Sequence, residues 1–144
     1  MLKGIDPLLS GDLLKILDDM GHGDQLMLVD RNYPAMSSGR PVVRLGEVSI
    51  LRAASALLSV FPLDSFIEHP LERMEVDNDP AKTTAVQDSL LELASQAEDR
   101  ALAYGVVPRL DFYGRARGVY AIVHTLDTVP YGCFILHKGV VFEE

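Results

Sequence analysis

The chain carries a single cysteine, Cys133, and no tryptophan. One thiol allows neither an internal disulfide nor a cysteine-rich zinc site, so packing has to hold the fold, and a reducing compartment is permitted. Long apolar runs are missing as well. Nothing approaches the ~20 residues of a membrane span. The opening residues, MLKGIDPLLS, lack the basic region and apolar run of a signal peptide. The expectation is a cytoplasmic protein without a membrane partner. Positive charge is scarce in one region: ten of the 21 acids lie between Asp64 and Asp99, against only Arg73 and Lys82. The remainder is balanced at eleven acids and eleven bases, so the net charge of -8 belongs to this middle third. Phosphate backbones are bound by clustered Lys and Arg, and no nucleic acid partner is expected. The acidic stretch reads as a solvated face.

Several motifs are also absent. Gly21-His22-Gly23 follows a helical pattern and precedes a strand, the wrong order for a dinucleotide fingerprint. There is no phosphate loop and no GxSxG elbow. His22, His69, His124 and His137 are scattered without metal-ligand spacing. Neither a cofactor nor a metal is expected.

What is present suffices for one α/β domain over 1–144. At this length roughly two thirds of the unfolded surface is buried, and 48% hydrophobic residues can fill the core. Ser10 can cap a helix carrying Leu13, Leu14, Ile16, Leu17 and Met20 on one side, with Gly21 as its stop. Gln25 to Asp30 is a short apolar run, predicted as a buried strand, and 31–41 is a loop with Pro34, Gly39 and Pro41. Val42 to Leu45 predicts a strand, and Ser49 to about Val60 a helix. Leu71 to Val76 alternates weakly as a strand, and 78–84 is a break. A helix follows through Leu90 to about Leu102, with a short one at Phe112 to Arg117. Tyr120 to His124 and Cys133 to His137 close the pattern as two strands. Strands alternating with helices predict a mostly parallel sheet flanked by helices.

Two residues stand out for chemistry. His22 lies between two glycines on a loop, where an imidazole is uncrowded and titrates near neutral pH. Taken alone, such a histidine is more often an idle loop residue. Asp30 ends a strand at the side of the sheet where α/β proteins gather ligands, and it can equally be a turn-forming aspartate. Arg109, Tyr113, Tyr120 and Tyr131 are either ligand contacts or ordinary surface and core residues; their spacing does not decide.

A resemblance decides more. Met1-Leu2-Lys3, Leu13 to Leu17, Met20-Gly21-His22-Gly23-Asp24, Asp30 and Pro34-Ala35 look like the N-terminal half of the RbsD/FucU family of ribose pyranases and L-fucose mutarotases. Phe112-Tyr113, Arg115-Ala116, Ala121-Ile122-Val123, Tyr131-Gly132 and Lys138-Gly139-Val140 resemble its C-terminal half, with the FYxRA segment closer to the fucose branch. The resemblance implies an RbsD-like fold and a cofactor-free isomerase. His22 falls at the family's proton donor, Asp30 and Arg109 at sugar-contacting positions, and Tyr131, Gly132 and Cys133 in its C-terminal contact segment. It also implies a ring-shaped homodecamer with sites at subunit borders. The chain departs from the fucose branch at Cys133, where that branch has asparagine, and at Asn32 and Met36, where it has histidines. These departures bear on which aldose is bound more than on the reaction.

The expected activity is interconversion of the α and β anomers of a free monosaccharide. A non-catalytic sugar-binding accessory protein of a transport system and a pyranose–furanose interconverting enzyme are the alternatives. One geometric tension accompanies this reading. His22 precedes the 25–30 strand and Asp30 ends it, and a straight strand of that length spans about 17 Å. One pocket can hold both only if 21–24 folds back or a neighbouring chain supplies one of them.

Overall fold

The computed structural model describes residues 1–143. Helix α1 (Gly11–Asp19) starts where the Ser10 hydroxyl accepts the Leu13 N–H, and it buries Leu13 and Leu17. Strand β1 (Gln25–Val29) follows at the centre of the sheet. After a 3₁₀ turn at Ala35–Ser38 come β2 (Val42–Gly46) and helix α2 (Ile50–Leu58), whose cap is Ser49. Strand β3 (Leu71–Met74) leads to helix α3 (Ala85–Glu98), opened by a capping box between Thr84 and Gln87. Strand β4 (Gly105–Val107), helix α4 (Arg109–Arg115) and a 3₁₀ turn at Ala116–Gly118 precede β5 (Ala121–Thr125) and β6 (Phe134–His137).

The six strands form one sheet in the order β2-β5-β1-β6-β3-β4. Pairs β2·β5, β1·β5 and β3·β4 are parallel, and β6 alone runs against its neighbours β1 and β3. β1 is apolar and buried from Leu26 to Val29 because both its faces are covered. Leu26 and Leu28 face the core under α1, α2 and α3, while Met27 and Val29 face a smaller core with Tyr33, Phe112 and Ala116. Among the described residues no helix is long and apolar enough to cross a membrane.

Three local expectations are corrected, and one strand was not anticipated. Gly21 does not stop α1: Met20 breaks it in an extended conformation, and the Lys138 ammonium caps the freed carbonyls of Leu17 and Met20. α3 ends four residues before Leu102, because Asp99 adopts a left-handed φ of 52°. α4 begins at Arg109 behind Pro108, three residues ahead of Phe112. β4, only three residues long, has no alternation for sequence reading to find.

The direction of β6 positions everything that follows. Its start lies beside the carboxyl end of β1, where Phe134 pairs with Leu28. Its end lies beside the amino end of β1, where His137 pairs with Gln25. Segment 131–133 therefore meets Asp30 at one edge of the sheet, and Lys138-Gly139 meets the 21–24 turn at the other.

Candidate functional site

At the carboxyl edge, the segments following β1, β3 and β4 converge with the segment preceding β6. Asp30, Asn32, Met74, Arg109, Tyr131 and Cys133 line a cavity of about 170 Å³. That is below the range of drug-sized pockets and suits a ligand as small as one sugar. Tyr33 and Tyr113 stack as one wall, rings 5.6 Å apart and 9° from parallel.

Asp30 is buried, at 5% exposure, and joins the edge together. One carboxylate oxygen accepts the N–H groups of Asn32 (3.0 Å) and Tyr33 (3.2 Å). The other accepts the Gly132 N–H (3.1 Å) and faces the Cys133 thiol at 3.6 Å. Burial raises its pKa, against the pull of these donors. Burial, followed by the charge of Asp30, pushes the Cys133 thiol up, so it stays protonated and is a weak donor rather than a nucleophile. Asp30 is thus a turn-forming aspartate and a pocket residue at once. An ionised carboxylate offers about four acceptor sites, and all are occupied, the weakest of them by sulfur.

Gly132 is required for this closeness. A Cβ there would lie 2.7 Å from Val129 Cγ1 and 3.4 Å from Asp30 Cβ. Tyr131 beside it adopts a left-handed φ of 56°, a strained state for an aromatic residue. Its carbonyl accepts a hydrogen bond from Gln87 Nε2 at 3.3 Å, and its hydroxyl donates to Asp77 Oδ1 at 2.7 Å. Arg109 enters the cavity from the first turn of α4, and none of the ion pairs among the described residues engages it.

His22 is elsewhere. The 21–24 turn is held at the amino edge by the Gly23 N–H donating to the Lys138 carbonyl (2.8 Å), so it does not fold back toward Asp30. There His22 Nε2 meets Asp64 Oδ1 at 3.0 Å. Asp64 is only 3% exposed. Its N–H donates to the His137 carbonyl, and Arg100 donates to its own carbonyl. Gly139 packs so tightly beneath it that a Cβ would lie 2.7 Å from Asp64 Cα. Burial works against the Asp64 charge, but the Phe66 N–H and the His22 hydrogen bond outweigh it and hold the pKa below the ordinary value. The ionised carboxylate fixes a proton on Nε2 and leaves Nδ1 as the free nitrogen. The imidazole is half exposed and rests on Phe66 (5.3 Å), which in turn touches Phe142 (6.2 Å).

Of the residues singled out in the sequence, the single chain assembles Asp30, Arg109, Tyr131, Gly132 and Cys133 and leaves His22 at the opposite edge. Asn32 lines the cavity, whereas Met36 is exposed on the 3₁₀ turn outside it. Tyr120 packs against the main core. Asp64 and Asp77 were missed because the acidic stretch reads as one solvated face. It is not one: Asp64 is buried, and Glu72 lies in a cluster with His137 and Arg115. No short-range pattern links Asp64 to His22 across 42 residues.

The model of the RbsD / FucU transport protein family matches residues 3–141. An L-fucose mutarotase of Histophilus somni is 39% identical over 140 residues, which is 97% of each protein. The solved fucose mutarotase of Streptococcus pneumoniae, in complex with L-fucose, superposes with a TM-score of 0.89 at 34% identity, covering 98% of this chain and 100% of that one. FucU from Bifidobacterium longum gives a TM-score of 0.89 at 37% identity, over 97% and 100% of the two chains.

Proposed function

The chain belongs to the RbsD/FucU family, and from that premise we propose that it is a mutarotase interconverting the α and β anomers of L-fucose or a related aldose. The observation that carries this reading is the carboxyl-edge cavity, sized for one sugar and lined by Asp30, Arg109 and Tyr131. An aldose changes anomer by opening its ring, rotating about C1–C2 and reclosing. Opening needs a proton for the ring oxygen and a group that takes the proton of the anomeric hydroxyl. Positioned acid and base groups contribute ~10² to 10⁴-fold, and a fixed sugar orientation contributes further.

In this reading the His22 imidazolium, held at Nε2 by Asp64, delivers its Nδ1 proton to the ring oxygen. Arg109, engaged by none of the ion pairs among the described residues, orients sugar hydroxyls. A hydroxyl can also replace the weak Cys133 thiol at Asp30. Gly132 and the strained Tyr131 complete the binding segment. No step calls for a redox or electrophilic cofactor.

His22 reaches a cavity only if a second copy supplies one. We therefore propose a ring of identical subunits, a decamer in this family, with each site completed across a border. Supporting it is the apolar surface around His22: Phe66, Val141 and Phe142 are more than 60% exposed in the single chain. The compartment proposed is the cytoplasm, consistent with one buried free thiol.

The test is magnetisation exchange between the α and β anomer signals of L-fucose and other aldoses, with and without protein. Acceleration for at least one aldose is the expected result. Binding without acceleration would favour a sugar-binding accessory protein, a reading to which the separation of His22 from the cavity lends support.

A further inference from the structure

The turn after β3 presents an acid to Tyr131 that neither the fold nor the solvated-face reading requires. Val76 to Asp79 is a tight turn, closed by the Asp79 N–H donating to the Val76 carbonyl at 2.9 Å. Its two central residues, Asp77 and Asn78, have φ of 52° and 57°. Two consecutive positive φ values define the mirror-image type I′ turn, which Asp and Asn tolerate best among residues other than glycine. The turn is clamped from below. Gln87 Nε2 donates to the Met74 carbonyl at 3.0 Å, and the buried Arg73 guanidinium donates to the Met74 and Pro80 carbonyls. The same Gln87 amide holds the Tyr131 carbonyl. One buried side chain thus sets the register between Asp77 and Tyr131.

The hydrogen bond between them has a direction. The Tyr131 O–H donates to Asp77 Oδ1 at 2.7 Å, and Asp77 Oδ2 lies 3.5 Å from Lys82 Nζ. With its proton committed to Asp77, the phenol offers the cavity only its lone pairs. We propose that Asp77 is a positioning residue that makes Tyr131 an acceptor for the anomeric hydroxyl and receives the phenol's proton as the sugar ring opens. The step rests on the mutarotase reading and balances as follows. The O1–H bond breaks and its proton passes to Tyr131 Oη, while the phenol's own proton passes to Asp77 Oδ1. The electron pair left on O1 forms the C1=O1 double bond, the C1–O5 bond breaks, and O5 takes the proton from His22. Reclosure on either face of C1 runs the same transfers backward and restores every group. The groups facing the pair are Lys82, which favours the Asp77 carboxylate, and Arg109, whose charge acts on the phenol. The bond to Asp77 is the leading cause of a raised Tyr131 pKa, the mark of a phenol held in its protonated form.

Asp77→Asn keeps the turn, since Asn is favoured in it, but removes the proton acceptor. Anomer exchange at saturating L-fucose should fall about 10²-fold in Asp77→Asn, with half-saturation moving less than about threefold. Asp77→Glu should recover part of the loss. In a Tyr131→Phe background Asp77→Asn should cost nothing further, since the acid acts only through the phenol. A ¹³C-tyrosine titration of Tyr131 should move to lower pH in Asp77→Asn. Exchange within about twofold of wild type in Asp77→Asn, or fully additive losses in the double variant, would overturn the proposal. A wild type that exchanges no aldose would sink the mutarotase reading and the proton step with it. The phenol titration then judges the pairing by itself, and an unchanged titration overturns that too.

Discussion

Two impaired variants should partly restore each other when mixed. The perturbation is His22→Ala in one preparation and Tyr131→Phe in another, dissociated, combined in equal amounts and reassembled. The single chain separates the two positions by the length of β1, five residues rising ~3.3 Å each, or about 17 Å. No side chain crosses that gap, and the Gly23–Lys138 hydrogen bond keeps the 21–24 turn at its own edge. If each site takes His22 from one subunit and Tyr131 from the next, random mixing leaves about one quarter of the borders with both groups intact. The reassembled mixture should then show about one quarter of the wild-type exchange rate, read by magnetisation transfer between fucose anomers. Each parent, reassembled alone, gives the baseline. If both groups came from one chain, every chain would carry a defect and mixing would gain nothing. A mixture that stays at the mean of its parents, with subunit exchange verified by mass, refutes the trans site.

Three further outcomes follow from the same contacts. Asp64→Ala frees the Nε2 proton of His22 and should lower exchange about 10²-fold while sugar binding, measured by titration calorimetry, changes little; an unchanged rate would remove Asp64 from the mechanism. Cys133→Asn replaces the weak thiol contact at Asp30 by an amide, and L-fucose should bind more tightly or exchange faster; no change in either would mean that Cys133 only fills space. Glu72, mostly buried and bonded to His137 (2.5 Å) and Arg115, is held down to about 2 from 4.5 because those bonds outweigh the upward push of burial. A depressed pKa stabilises the folded state above the unfolded value and is lost as pH falls from about 4.5 to about 2, a difference on the order of 3 kcal/mol. Glu72→Gln should therefore lower the denaturation midpoint at neutral pH and flatten the acid limb over that window. A variant with the wild-type acid limb would show that the cluster contributes nothing.

The sequence by itself determined the elements whose cause is local. Ser10 and Ser49 cap helices because a hydroxyl beside an exposed N–H is a contact between near neighbours. The apolar runs at 26–29 and 121–123 become central parallel strands because both faces are buried, and alternation of strands with helices fixes the class. The Thr84–Gln87 capping box, first seen in the structure, is also a contact over three residues, whereas the reach of Gln87 to Tyr131 is long-range. Asp30, Arg109 and the 131–133 segment were candidates in the sequence through their resemblance to the family, and only the tertiary structure gathers them at one cavity. The antiparallel course of β6 decided that, bringing Gly132 against Asp30 across 102 residues. The same strand carried Lys138 and Gly139 to the opposite edge, where they seat Asp64 behind His22. The roles proposed for Asp64 and Asp77 depend on contacts 42 and 54 residues apart, and charge along the chain cannot distinguish an acid in water from one holding an imidazole or a phenol.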